Sequence, residues 1–156
     1  MNSISVTNAN ESSSEKLGET RIRVRYAETD QMGVVYHANY LVWFEIGRVE
    51  RMRQLGFDYK QMEAEDDCFI AVVEVKCRYK SPARYDDILI IVTEIAALRG
   101  FVLKFRYQVL RESDRALLAE GETTHVITDR HLKKRILPQK YVDAFQRIQT
   151  DVPLPE

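Results

Sequence analysis

The chain changes hydrophobic period several times, and each change marks an element. Ile22, Val24 and Tyr26 alternate with arginines over Arg21–Ala27, the period-two signature of a half-buried strand. Glu28 to Ala38 is irregular and carries Gly33. From Asn39 the spacing becomes helical: Val42, Ile46, Val49 and Met52 recur on one side, and Trp43 and Phe44 widen the apolar face. Asn39 is placed as a cap, and Gly56 after Leu55 ends the helix. The first half of this helix is apolar nearly all round, so it is expected to be covered on most sides. Asp58–Asp67 reads as a loop or short helix.

Four strands are expected next, over Phe69–Lys80, Ile88–Ala97, Phe101–Leu110 and Ala116–Thr128. Ser81-Pro82, Arg99-Gly100 and Ser113-Asp114 separate them as turn or break signals. Ile88–Ala97 is apolar on both faces, which fits an interior strand. Pro138 opens a last helix reaching about Ile148. Short connections favour an antiparallel meander of the four strands. The fold class is therefore α+β, with one antiparallel sheet curled round one long central helix. Its open edges would be protected if two copies paired edge to edge.

Composition narrows the picture. The chain has 156 residues, of which 45% are apolar, enough for one domain and one core. That domain is assigned to residues 21–150. Residues 1–20 are polar and Ser/Asn-rich and read as a disordered tail; 151–156 read as a frayed end. A formal net charge of -1 argues against a nucleic-acid surface. No apolar run approaches the length of a membrane span, and the N-terminus lacks an apolar signal-peptide centre. Cys68 and Cys77 form neither a disulfide framework nor a zinc motif, so a cytoplasmic location is expected.

Candidate chemistry concentrates in Tyr26–Tyr40, YAETDQMGVVYHANY. Asp30 stands three residues before Gly33, and His37 lies just ahead of the helix. Unpaired N–H groups at a helix N-terminus attract developing negative charge. Gly33 lets the loop fold back so that a carboxylate approaches that end. One carboxylate facing one oxyanion site suits acyl transfer. Neither a G-x-S-x-G elbow, nor a dinucleotide or Walker glycine pattern, nor a metal cluster is present, so no cofactor and no metal are expected. Glu45 is expected to pair with Arg48 one turn on. His125 and His131 are expected on a strand surface and in a loop.

The run RYAETDQMGVVYHANYLVWFEIGRVERMR, Arg25–Arg53, resembles the signature of the 4-hydroxybenzoyl-CoA thioesterase family of hotdog proteins. It is most similar to the short acyl-CoA thioesterases of bacterial cell-envelope gene clusters. The family pattern D-x-x-G-x-x-(Y/F)-(H/Y) followed by N-Y is met by Asp30, Gly33, Tyr36, His37, Asn39 and Tyr40. The likeness continues through KSPARYDD, Lys80–Asp87, and the ILP before the last helix, covering about Arg21 to Gln146.

This resemblance implies a hotdog fold and hydrolysis of an acyl-CoA thioester to free acid and CoA. Asp30 matches the catalytic carboxylate, attacking the carbonyl or activating water. The His37 N–H matches the group that polarises the carbonyl, and its side chain assists by hydrogen bonding. Gly33, Tyr36, Asn39 and Tyr40 shape the helix start and the pocket. Arg99, Lys133 and Lys134 lie in regions that resemble the family's contacts with the nucleotide end of CoA. A homodimer or homotetramer with sites at the subunit boundary is implied. An acyl-carrier protein is the alternative carrier to CoA. Two rival readings stand beside hydrolysis: a hotdog hydratase or dehydratase, and a non-catalytic acyl-CoA or acyl-carrier-protein binder.

Overall fold

The structure is a computed structural model that describes residues 18–151, with side chains through residue 147. Residues 1–17 and 152–156 of the two expected tails lie outside the described residues. The elements are β1 (Glu19–Arg23), a 3-10 turn (Tyr26–Glu28), α1 (Asn39–Gln54) and α2 (Tyr59–Asp66), followed by β2 (Phe69–Tyr79), β3 (Ile88–Arg99), β4 (Val102–Arg111), β5 (Leu117–Thr128) and α3 (Gln139–Asp151). The first strand starts two residues before the expected domain start and ends at Arg23. Beyond it the chain turns, because Glu28 reaches back to accept the Arg25 N–H at 2.8 Å.

The five strands form one antiparallel sheet in the order β1-β3-β4-β5-β2. Three of the expected four make a meander, but β2 does not pair with β3; it lies on the far edge beside β5. The eight residues between β2 and β3 are too many for a tight hairpin. They carry the chain across the mouth of the sheet.

The sheet curls round α1. Trp43, Phe44 and Met52 of α1 are buried against Phe105, Tyr107 and Ile91 of the sheet. Phe44 stacks on Tyr107 with centroids 4.4 Å apart and planes 11° off parallel. Two glycines allow this close approach. A Cβ on Gly47 would lie 2.8 Å from Ile91 Cγ2 and 2.5 Å from Thr93 Oγ1. A Cβ on Gly121 would lie 2.5 Å from the Phe44 ring and 2.7 Å from the Lys76 carbonyl. Gly121→Ala should therefore overpack the helix–sheet contact and destabilise by about 1–3 kcal/mol. A fall in the urea midpoint at constant m-value checks this.

Asn39 is not the cap of α1. It is the first helical residue, Ala38 precedes it at the cap, and the Asn39 amide donates to the Glu28 carbonyl at 2.8 Å. Gly56, at φ 85°, ends the helix region as expected. At that end α2 and α3 close the core, with Phe57 packed edge-on against Tyr141 and Asp66 accepting from Lys140 and Tyr141. Cover over α1 is incomplete in a single chain. Leu41 and Val42 stay exposed, as do Val72, Val73 and Val75 of the edge strand β2.

Candidate active site

The loop before α1 is pinned at both ends. Glu28, buried at 6% exposure, takes the Trp43 indole N–H at 3.0 Å and the Arg25 N–H at 2.8 Å. Its carbonyl also receives Tyr36 N–H at 2.9 Å. These bonds tie the loop to the first turn of α1. Between the pins, Asp30 N–H donates to the Val34 carbonyl and Gly33 N–H to the Asp30 carbonyl, closing a tight turn. Gly33 sits there at φ 76°, the left-handed region that favours glycine.

The Asp30 carboxylate caps its own turn rather than the helix. Its Oδ1 accepts Met32 N–H at 2.8 Å, which orients the group, and among the described residues Oδ2 has no hydrogen-bond partner. Asp30 lines a cleft of about 300 Å³ with His37, Tyr40, Tyr79, Ser81 and Pro82. Val34 and Val35 supply apolar wall. Among the described residues, the backbone N–H groups of His37 and Ala38 donate to no protein acceptor, while those of Asn39, Tyr40 and Leu41 are taken up. Two unpaired amides thus stand at the positive end of α1, and His37 borders the same cleft as the carboxylate.

Tyr79 fixes the opposite wall. Its hydroxyl donates to the His37 carbonyl at 2.9 Å, which holds the approach to α1 in place. Burial, with help from Cys77, pushes the Tyr79 phenol up to about 12, so it remains a donor at neutral pH. Tyr40 packs edge-on to Tyr79, and its hydroxyl accepts the Ala83 N–H at 3.3 Å. Val35 N–H donates to the Ala83 carbonyl at 2.8 Å. The Lys80–Asp87 segment is therefore the cleft's second wall.

Of the residues expected at the site, Asp30, His37 and Tyr40 meet in the cleft. Gly33 and Asn39 shape the loop behind it. Tyr36 is exposed, and its ring lies against the His37 ring with centroids 4.5 Å apart and planes tilted by 58°. Arg99, Lys133 and Lys134 are elsewhere in the chain. They sit where β3 ends and β5 leaves the sheet, with Lys134 over the Phe101 ring at 4.8 Å. That is the Phe69 end of β2, whereas the cleft is at the Tyr79 end, ten residues or about 33 Å along the strand. A single chain does not bring them to Asp30.

Two further expectations are corrected. His125 is not on the strand surface; it is fully buried on the helix side of β5. It shares the parity of Gly121, which meets Phe44, and so faces α1. Arg48 turns toward the hydroxyls of Tyr59 and Tyr107 rather than toward Glu45. The roles of Glu28 and Tyr79 were not anticipated, because one acts through a helix residue 15 positions away and the other through a carbonyl 42 positions away. A larger hollow, about 400 Å³, lies among Lys76, Arg78, Arg106, Glu120 and Glu122 on the sheet's charged outer side, away from the loop. Among the described residues no group of His, Cys, Asp and Glu is placed to hold a metal, and no helix is long and apolar enough to cross a membrane.

A carboxylate and two unpaired helix-start amides bordering one cleft suit acyl transfer. The profile of the Thioesterase-like superfamily matches residues 24–149. The chain belongs to that superfamily. Acyl-CoA thioester hydrolase YbgC of Escherichia coli O6:H1 is 38% identical over 127 residues, spanning 81% of this chain and 93% of YbgC. The crystal structure of DHNA-CoA thioesterase from Staphylococcus aureus matches with a TM-score of 0.80 and 28% identity, covering 85% of this chain and 91% of that one. A 4-hydroxybenzoyl CoA thioesterase mutant complexed with 4-hydroxybenzoyl CoA has a TM-score of 0.75 at 21% identity, covering 81% of this chain and 96% of that one, and shares the fold. The superfamily member described here is thus a hotdog protein, with its sheet wrapped round α1.

Proposed function

We propose that the chain hydrolyses acyl-CoA thioesters to a free acid and CoA, in a site completed by a second copy of itself. The observation that carries the reading is the Asp30 carboxylate, oriented by Met32 N–H, on the same cleft as the approach to α1 with its two unpaired amides. The carboxylate adds to the thioester carbonyl, or takes a proton from a water that adds. In both routes the carbonyl oxygen becomes an oxyanion that the His37 and Ala38 N–H groups stabilise. Collapse breaks the C–S bond and expels the CoA thiolate, a good leaving group that needs little help from an acid. In the first route water then cleaves the acyl–Asp30 anhydride, restoring the carboxylate; in the second the proton held by Asp30 passes to the departing thiolate, with the same result. The His37 side chain, at the cleft edge, assists by hydrogen bonding to the substrate.

The second copy follows from β2. It is a long edge strand with exposed valines, beside a helix that leaves Leu41 and Val42 uncovered. Such an edge needs covering. Two-fold pairing of like edges is antiparallel, so the Phe69 end of one β2 lies beside the Tyr79 end of the other. The partner's basic loop then flanks this chain's cleft. Arg99, Lys133 and Lys134 bind the CoA phosphates in trans. An acyl-carrier protein presenting the same thioester is the alternative carrier. The two free thiols, Cys68 and Cys77, fit the reducing cytoplasm.

Thiol release from a panel of acyl-CoAs, followed with a colorimetric thiol reagent and no added metal, tests the reading. Multiple turnovers on at least one acyl-CoA are expected. Tight binding with no thiol released would instead make the protein a sequestering one.

A further inference from the structure

An open strip leads away from the cleft. Tyr79, Cys77 and Val75 of β2 pair with Ala119, Gly121 and Thr123 of β5, and Val72 pairs with His125. Residues paired across strands share a face, and Gly121 meets Phe44, so this face looks at α1. On α1, Leu41, Glu45 and Arg48 stand at i, i+4 and i+7, along one flank. Gly47, on the opposite flank, meets Ile91 and Thr93 of β3, so the Leu41 flank is turned toward β5 and β2. Leu41, Val75 and Tyr79 remain exposed there. The strip thus runs from Tyr79, at the cleft, to Thr123. Two rulers give its length. Four strand residues and nine helix residues, from Asn39 to Arg48, each span about 13 Å.

The far end of the strip is polar and incompletely satisfied. Tyr107 Oη and Thr123 Oγ1 are 2.6 Å apart, and Thr123 Oγ1 is 2.7 Å from His125 Nε2. The Arg48 guanidinium lies beside the Tyr59 and Tyr107 hydroxyls. Yet, among the described residues, His125 Nδ1 is buried with no partner, and the Tyr59 hydroxyl is buried with only the Arg48 guanidinium beside it. Burial holds the His125 imidazole down at about 4, so it is neutral near pH 7. Orphaned buried polar atoms are costly and rare in folded proteins. An unpartnered imidazole nitrogen and an incompletely satisfied phenol beside a cation, at the end of a strip that starts at the cleft and carries Glu45 on its helix side, point to a ligand that completes them.

We propose that Arg48, Tyr59, Tyr107, Thr123 and His125 form the distal end of the acyl pocket and select acyl groups that carry a hydrogen-bonding oxygen, as hydroxyl or carboxylate, at the end remote from the thioester. The inference rests on the thioesterase reading and specifies its substrate. An alkyl end would leave the orphaned atoms unpaired, and a site built to hydrogen-bond a substrate discriminates strongly against an analogue without the oxygen. The selection is also length-dependent, since a short acyl group ends before it reaches the cluster.

Decanoyl-CoA, ω-hydroxydecanoyl-CoA and mono-decanedioyl-CoA are compared by kcat/KM, alongside butanoyl-CoA and ω-hydroxybutanoyl-CoA. The wild type should prefer at least one oxygenated ten-carbon substrate over decanoyl-CoA by tenfold or more, with no such preference in the four-carbon pair. The hydroxy and dicarboxylic arms distinguish a neutral from an anionic end. Tyr59→Phe and His125→Leu should each reduce the ten-carbon ratio several-fold. Should His125→Leu fail to fold, Tyr59→Phe, which removes one oxygen, decides alone. Acyl-CoA hydrolysis that favours decanoyl-CoA over both oxygenated substrates, or a ratio that the variants leave intact, overturns this inference and leaves the thioesterase reading standing. No hydrolysis of any acyl-CoA overturns both.

Discussion

Mixing two crippled forms of the chain should restore efficient turnover at low substrate concentration. One form is Asp30→Asn, which lacks the reactive carboxylate. The other carries Lys133→Glu and Lys134→Glu, which replace cations in the basic loop and should raise KM for acyl-CoA by tenfold or more, with a smaller effect on kcat. Within one chain the cleft and the loop are at opposite ends of β2, about 33 Å apart. If antiparallel pairing of β2 edges builds the site, a mixed dimer contains one ruined site and one intact site. The intact one combines Asp30 of the doubly substituted chain with the unaltered loop of the Asp30→Asn chain. Co-expressed or co-refolded mixtures should then show a component that combines the wild-type KM with a kcat near that of the wild type, a combination that neither parent has. A mixture whose only active component keeps the raised KM would place carboxylate and phosphate contacts in the same chain.

Local chemistry was legible in the sequence; encounters between distant segments were less so. The α1 boundaries followed from helical periodicity and Gly56, and the β3–β4 turn followed from Arg99-Gly100. The Asp30 turn was legible because Gly33 marks a left-handed backbone, which is a local requirement. Strand order was not, since periodicity says which residues face inward but not which strand lies beside β5. The β2–β3 connection looked like one more short link and is a crossing. Asn39 lies one residue inside the helix rather than at its cap, because its side chain serves the Glu28 carbonyl instead of the helix amides. His125 is a polar residue on a buried face, where residue type and position disagree. Such disagreements between local residue type and global burial tend to mark sites built for a ligand.

Asp30→Asn should lower kcat by two to four orders of magnitude, of the order expected when a positioned acid–base group or nucleophile is lost. The substitution is nearly isosteric. Asparagine retains an oxygen to accept Met32 N–H, so the turn at Asp30–Gly33 and the fold should persist. What disappears is the negative charge that adds to the thioester or takes a proton from water. Asp30 is one of the cleft's lining residues, but its near-isosteric replacement keeps the cleft's shape, and the apolar wall, the helix-start amides and the basic loop are unchanged, so affinity for acyl-CoA should stay within a few-fold. The most direct test is a paired measurement on purified wild-type and Asp30→Asn protein of equal oligomer size: acyl-CoA affinity by calorimetry and thiol release at saturation. Equal affinity with thiol release reduced at least about a hundredfold is predicted. Equal affinity with equal thiol release would contradict a reaction driven by the carboxylate at residue 30.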